Sequence, residues 1–223
     1  MSATPRRVVL DCDPGHDDAM AILLAAAHPA VDLRAITTVA GNQTLDRTTL
    51  NARRVCSVAG ITGVPIAAGC ERPIRRQPIV AAEIHGASGL DGVDWPEPTV
   101  PVEPRHAVDV ILDEAADAPD GLTLVAVGPL TNVATALERD ASLAGRLARI
   151  SVMGGAIGLG NWTPSAEFNI VADPEADADP LRQHRLATRS QLGRFGTPEE
   201  VVHVVLSLLD AAWATGEVWG IGR

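Results

Sequence analysis

Residues 7–27 read RVVLDCDPGHDDAMAILLAAA, which is a short apolar run, an acidic turn and an apolar helical pattern. The continuous apolar run at residues 8–10 predicts a buried strand over residues 7–12. Pro14 and Gly15 turn the chain, and the spacing of the next apolar residues predicts a helix over residues 17–27. A strand that leads directly into a helix is the repeating unit of a parallel sheet.

The same alternation continues through the first 155 residues. Further strands are predicted over residues 33–39, 65–68, 122–127 and 149–153. Further helices are predicted over residues 45–59, 106–116 and 131–137, with Gly60 as a cap and a long loop over residues 69–104. Continuous apolar strands indicate an α/β fold: an open, mainly parallel sheet with helices on both faces. Ligands of such sheets bind at the carboxyl ends of the strands.

Composition excludes several classes of protein. The formal net charge is −10, which argues against nucleic-acid binding, since that requires a basic surface. All 18 basic residues are Arg and there is no Tyr, so mechanisms that need a Lys or a Tyr-Lys pair are excluded. The three cysteines are widely spaced, and no run approaches the roughly 18 apolar residues that span a bilayer. We therefore expect a cytoplasmic protein without a membrane partner.

The acidic turn carries four carboxylates, those of Asp11, Asp13, Asp17 and Asp18. Asp17 and Asp18 open a helix, where acidic residues are common as caps, but capping explains only two of the four. Converging carboxylates raise each other's pKa, and no Arg lies between positions 7 and 34 to neutralise them. A bound divalent cation is the simplest remedy, and all-oxygen ligands favour Ca²⁺ or Mg²⁺ over Zn²⁺.

This turn and five later blocks together resemble the inosine-uridine preferring nucleoside hydrolase family. The blocks occur in the family's order over residues 7 to about 177. They are DCDPGHDD at 11–18, VAGN at 39–42, HG…GLDG at 85–92, VGPLTN at 127–132, MGG at 153–155 continuing to Asn161, and EFN at 167–169 with DPEA at 173–176. The resemblance implies hydrolysis of the N-glycosidic bond of a small-molecule ribonucleoside by a metal-activated water, with bound Ca²⁺. It also favours a homodimer or homotetramer.

Roles for individual residues follow from the resemblance. Asp13 is implied to be the base that accepts a proton from water and also to contact the metal, with Asp18 and the carbonyl of Val127 as further ligands. The implied ribose-binding residues are Asp17, Asn42, Asn161, Glu167 and Asn169, with Met153 packed near the sugar. His85, in the Gly-rich loop, is a further substrate-binding candidate. If their segment is extended, Glu167 and Asn169 share one face.

The resemblance ends after Ala176, so we predict a nucleoside hydrolase-like domain over residues 1–177 and an atypical tail over 178–223. The family continues with an adjacent His-Asp pair that completes the metal shell and assists departure of the base. The only His-Asp neighbours here are at 16–17, so we expect a domain truncated at its C-terminal side. The tail resembles the end of short-chain dehydrogenases, and Thr197 with Glu200 forms a capping box for a helix near 198–209.

Other functions remain as alternatives. A dehydrogenase is disfavoured by the lack of Tyr, Lys and a Gly-rich turn after the first strand, and an Asp-nucleophile phosphatase by the lack of Lys. The alternative that stays open is a catalytically impaired remnant or fusion product that binds metal or ribose weakly.

Overall fold

The computed structural model of the protein describes residues 4–156 and 159–178. The strands in these residues are β1 (Arg6–Cys12), β2 (Val31–Thr38), β3 (Ile66–Ala68), β4 (Leu122–Ala126) and β5 (Leu147–Val152). The helices are α1 (His16–Ala27), α2 (Leu45–Ala59), α3 (Ala82–His85), α4 (Ala107–Ala116), α5 (Thr131–Arg139), α6 (Leu143–Arg146), α7 (Phe168–Ala172) and α8 (Pro174–Ala178). The predicted helix near 198–209, its capping box and most of the predicted tail lie outside the described residues.

The five strands form one parallel sheet in the order β3-β2-β1-β4-β5. The chain runs outward from β1 to β3, then crosses to β4 on the other side of β1. Strand order therefore reverses between β1 and β4, and in open α/β sheets this switch point is where ligands bind. The predicted α/β fold class is confirmed.

Both faces of the sheet are covered by helices. Val9 packs into a core with α4 and α5, whose buried members include Ile111 and Val133. Leu10, the next residue, packs into a second core that includes Ile22 of α1 and Val55 of α2. Successive strand residues point to opposite faces, so an unbroken apolar run is what a strand buried on both sides requires.

Several predicted bounds agree closely with the structure. Helix α2 has the predicted limits, and Gly60 caps it in the left-handed conformation with φ of 67°. Strand β2 begins two residues earlier than predicted and ends at Thr38. Helix α5 runs to Arg139, two residues beyond the prediction, and a basic residue in its last turn is favoured by the helix dipole.

Other features differ from the prediction. The segment 69–104, predicted as a loop, contains the four-residue helix α3, and α6 precedes β5 without having been predicted. Such short helices lack the repeated apolar spacing that identifies longer ones. None of the helices in the described ranges has both the length and the apolar character to cross a membrane.

Candidate active site

Two buried carboxylates, Asp13 and Asp18, lie where β1 ends and α1 begins. Asn42, which follows β2, connects them. Its backbone N–H donates to Asp13 Oδ2 at 2.7 Å, and its Nδ2 donates to Asp18 Oδ2 at 3.4 Å and to the Asp13 carbonyl at 3.1 Å. The Gly15 N–H also donates to Asp18 Oδ2, at 3.3 Å. Parallel strands place their carboxyl ends at one sheet edge, which is why these distant residues meet.

Each of the two carboxylates keeps one oxygen without a partner. Asp13 Oδ1 and Asp18 Oδ1 are buried and accept no hydrogen bond from the described residues. Burial raises the pKa of Asp13, and the charge of Asp18 raises it further. Burial also raises the pKa of Asp18, with a smaller contribution from the charge of Asp17. Buried like charges with free lone pairs are what a divalent cation stabilises, so these residues fit a hard metal ion.

Only two of the four acidic side chains predicted to converge are joined in this way. Asp17 is exposed on α1. Asp11 is fully buried, but its Oδ1 accepts from Thr37 Oγ1 at 2.6 Å and from Asn132 Nδ2 at 2.8 Å. It therefore forms a separate network beneath Asp13, because strand residue 11 still faces the neighbouring strand β2 and the start of α5.

The carbonyl of Val127 follows β4, the neighbour of β1. Its oxygen accepts a hydrogen bond from Asn169 Nδ2 at 2.8 Å, which leaves a second lone pair available. The next residue, Gly128, lies against Asp13, since a Cβ built on it would come within 2.8 Å of Asp13 Oδ1. Within residues 4–156 and 159–178, no three His, Cys, Asp or Glu side chains are arranged to hold an ion. The carboxylates of Asp13 and Asp18 and the Val127 carbonyl stay the ligands that the family resemblance implies.

Asp11 leads to a prediction on pH dependence. Burial raises its pKa from 3.8 to about 6, against the lowering effect of its hydrogen bonds from Asn132 and Thr37. The folded state therefore binds the proton more tightly than the unfolded chain. The resulting stability is fully present below pH 3.8 and is lost as pH rises through about 6. The free energy involved is about 3 kcal/mol.

Asp11→Asn removes this titration, so only the wild type should lose this stability as pH rises. The difference in free energy of unfolding between the two proteins should therefore shift by about 3 kcal/mol in favour of the variant between about pH 4 and pH 8. Denaturant unfolding of metal-free protein in a chelator measures the gap at each pH. A gap that stays constant across this range would show that Asp11 does not change its protonation on folding.

Three of the residues implied to bind ribose follow β5 in the chain: Asn161, Glu167 and Asn169. Glu167 is buried and caps α7, accepting from the Asn169 N–H at 2.9 Å and the Ile170 N–H at 3.4 Å. Asn161 Nδ2 donates to Glu167 Oε1 at 3.4 Å. The segment is not extended, so the condition under which Glu167 and Asn169 would share one face is not met: Asn169 lies in the first turn of α7. Helical geometry brings the Asn169 amide back to the Glu167 carboxylate instead.

Met153 and Asn169 are directly joined. Asn169 Nδ2 lies 3.1 Å from the Met153 carbonyl and 3.2 Å from its sulfur, and the same nitrogen donates to Val127. Burial raises the pKa of Glu167, while hydrogen bonds from Asn169 and Asn161 oppose the rise. The structure thus brings Met153, Asn161, Glu167 and Asn169 together, and Val127 joins this group to the backbone beside Asp13.

His85 lies at the end of α3 and packs against Gly15, which lies between Asp13 and Asp18 in the sequence. A Cβ built on Gly15 would come within 2.7 Å of the His85 ring and 3.0 Å of Asn42 Nδ2. The ring therefore rests on the Gly15 backbone, which only a residue without a side chain permits. Burial lowers the pKa of His85, opposed by the charge of Asp17.

Sequence reasoning assigned no role to Asn132. Its Nδ2 donates to both Asp11 Oδ1 and the Thr38 carbonyl, and its Oδ1 accepts from the Cys70 N–H at 2.8 Å. This one side chain connects β1, β2 and the segment after β3 at the site. The sequence does place Asn132 near the start of a helix that follows a Gly-Pro turn. Helix capping accounts for a polar residue there equally well, so the position alone does not indicate a role in the site.

A cleft of about 610 Å³ opens beside the loop that follows α3, lined by residues that include Arg54, Asp91 and Trp95. Its lining includes neither Asp13 nor Asp18. We place the candidate active site at the carboxylates, because Asp13 and Asp18 each keep a buried oxygen without a partner and neither residue lines the cleft.

Comparison with known proteins gives consistent results. The family model of the inosine-uridine preferring nucleoside hydrolases matches residues 8–192. The chain is 53% identical over 171 residues to the pyrimidine-specific ribonucleoside hydrolase RihB of Escherichia coli K12, covering 77% of this chain and 54% of that protein. The chain thus spans about half the length of the curated relatives it matches.

Solved structures show the same likeness. A plant nucleoside hydrolase, the PpNRh1 enzyme, is 34% identical with a TM-score of 0.73, covering 83% of this chain and 57% of that one. A purine-preferring ribonucleoside hydrolase from Gardnerella vaginalis is 30% identical with a TM-score of 0.75, covering 82% and 58%. These proteins share the sheet and helices described above.

Proposed function

The chain belongs to the inosine-uridine preferring nucleoside hydrolase family, and from this premise we propose that it hydrolyses the N-glycosidic bond of a ribonucleoside to free base and ribose. One observation carries the proposal: the buried pair Asp13 and Asp18, bridged by Asn42, keeps an unpartnered oxygen on each carboxylate at the switch point of the sheet. Residues buried in this way are costly to the fold and are typical of functional sites.

Asp13, Asp18 and the Val127 carbonyl are the residues that would hold a divalent cation, for which we propose Ca²⁺. All three are oxygen ligands, and Ca²⁺ accepts carboxylate and carbonyl oxygens together with waters. When bound, such an ion supplies Lewis acidity that lowers the pKa of a water molecule. The unpartnered Asp13 Oδ1 and Asp18 Oδ1 support this assignment.

Asp13 is proposed as the general base. The Asn42 N–H holds its Oδ2 at 2.7 Å, so Oδ1 is the oxygen available to accept a proton from the attacking water. That proton transfer generates the nucleophile as the bond from ribose to base breaks. The sugar becomes positively charged in such a transition state, and nearby carboxylates favour that charge.

Ribose is proposed to bind between the carboxylates and the group beyond β5. Its hydroxyls both donate and accept hydrogen bonds, which suits a mixture of amide and carboxylate side chains. The proposed ribose ligands are Asp17, Asn42, Asn161, Glu167 and Asn169, with Met153 against the sugar. His85, which packs against Gly15, is also proposed to contact the nucleoside.

For the substrate we propose pyrimidine ribonucleosides, because the relative at 53% identity is named pyrimidine-specific. Ribose release from uridine, cytidine and inosine should be measured on the full chain, with added Ca²⁺ and with a chelator. We expect uridine to exceed inosine by at least about tenfold in kcat/KM, since pocket contacts commonly give such ratios. The chelator should remove the activity.

The outcomes separate the proposals. Equal rates on uridine and inosine would overturn the base preference but not the hydrolysis. Metal binding without ribose release from any nucleoside would favour the alternative of an impaired protein that only binds metal or ribose.

We also propose a cytoplasmic location, which the three free cysteines Cys12, Cys56 and Cys70 support. Assembly into a homodimer or homotetramer is proposed from the family resemblance, and sedimentation of the purified chain measures it.

A further inference from the structure

His16, the first residue of α1, contacts residues 85–91 through its backbone and through both ring nitrogens. Its backbone N–H donates to His85 Nδ1 at 3.5 Å. Its Nδ1 lies 3.3 Å from His85 Nδ1, and the two rings stack with centroids 5.5 Å apart and an angle of 26° between planes. Its Nε2 lies 3.0 Å from the carbonyl oxygen of Asp91. Since a carbonyl only accepts, His16 Nε2 carries the proton in that bond.

The segment 85–92 is itself organised by Asp91. The Asp91 carboxylate accepts from the N–H groups of Ala87 at 2.9 Å and Ser88 at 3.0 Å, and from the Ser88 hydroxyl. Leu90 is buried in the core beneath α1 and α2. The segment is therefore a closed turn. His16 contacts it near both ends, through His85 and through Asp91. The segment's middle carbonyls accept hydrogen bonds from the side chains of Gln43, Arg47 and Asn51.

The contact with His16 decides which edge of the His85 ring is available. His85 Nδ1 faces His16, and its Nε2 has no hydrogen-bond partner among the described residues. The ring lies on the Gly15 backbone beside Asn42, the amide that bridges Asp13 and Asp18. A ring fixed in this place keeps Nε2 as its polar atom without a partner among the described residues, and the ring itself lies beside Gly15 and the Asn42 amide.

We propose that His16 is a positioning residue that fixes the His85 ring beside Gly15 and Asn42, with Nε2 free to meet a bound nucleoside. The inference rests on the proposed function insofar as His85 contacts substrate. His16 itself does not touch the nucleoside and acts through His85.

Two substitutions separate the contacts of His16. His16→Asn keeps a polar atom at the place of Nδ1 and can still meet His85. His16→Leu keeps a side chain of similar size but loses both side-chain contacts, so only the backbone N–H of residue 16 still meets His85. We expect His16→Leu to lower kcat/KM for uridine by about tenfold to a hundredfold, because small misplacements of a positioned group have effects of this size. His16→Asn should stay within about threefold of wild type. Met20→Leu, at another exposed position of α1, is the matched control and should change nothing.

A double-mutant cycle tests the action through His85. In a His85→Ala background, His16→Leu should change kcat/KM by less than about twofold, since residues that act as a unit are not additive. A full additional loss in that background would overturn the proposal, because His16 would then act on its own or through the general stability of the fold.

Hydrogen exchange tests the contact between His16 and the segment 85–92 without relying on enzymatic activity. In His16→Leu the Ala87 and Ser88 amides should exchange at least about tenfold faster than in wild type, since local opening is easier once tethers are lost. Unchanged exchange would overturn the tether whatever the activity. If the wild-type chain releases no ribose, the proposed function fails while this measurement still decides whether His16 holds the segment.

Discussion

Asp13→Asn should reduce ribose release by at least about 10² to 10⁴-fold, the usual contribution of a general base. The substitution keeps the size of the side chain but removes its ability to accept a proton. It also removes one of the two charges proposed to hold the cation. Single-turnover and steady-state assays with uridine, at saturating Ca²⁺, measure the loss in kcat.

Asp46→Asn is the matched control for Asp13→Asn, because Asp46 is an exposed carboxylate in the first turn of α2 and the same charge is removed there. It should retain wild-type kcat. Activity of Asp13→Asn near that of wild type would refute the assignment of Asp13 as base. Excess Ca²⁺ should restore little of the lost rate, since added metal cannot replace the base.

Asp18→Asn should abolish binding of the divalent ion and, with it, the effect of a chelator on stability. In wild type, burial raises the pKa of Asp18. Above the pH at which a carboxyl group ordinarily loses its proton, the charged form of Asp18 therefore destabilises the metal-free fold, and this destabilisation grows as pH rises. A bound cation removes this cost, and a ligand at a hundred times its Kd stabilises the fold by about 2.7 kcal/mol. The variant has neither the buried charge nor the bound cation.

We therefore expect a crossover in thermal unfolding at neutral pH. With a chelator, Asp18→Asn should unfold at a higher temperature than wild type; with saturating Ca²⁺, wild type should unfold at the higher temperature. Titration calorimetry should show one ion bound by wild type and none by the variant. Undiminished Ca²⁺ binding by Asp18→Asn would place the metal elsewhere. If wild type unfolded at the higher temperature both with the chelator and with Ca²⁺, the charge of Asp18 would not destabilise the metal-free fold.

Sequence patterns predicted the long elements well and the short ones poorly. Helix α2 repeats its apolar face over fifteen residues and ends at a glycine, so both its limits could be read from the chain. Helix α3 has four residues and no buried side chain, so it leaves no apolar period to detect. The helical start at Phe168 was missed because its cap is Glu167, which the family resemblance had assigned to the ribose.

The sequence by itself determined the α/β class, the run of strands buried on both sides and the family, because these depend on local apolar patterns and ordered motifs. The residue pattern pointed to four converging carboxylates, and the family resemblance implied Asp13 and Asp18 among them as metal ligands. Only the tertiary structure decided that Asn42 bridges this pair while Asp11 turns to Thr37 and Asn132. Such contacts join residues far apart in the chain, and their geometry depends on how parallel strands bring their carboxyl ends to one edge of the sheet, which no local pattern records.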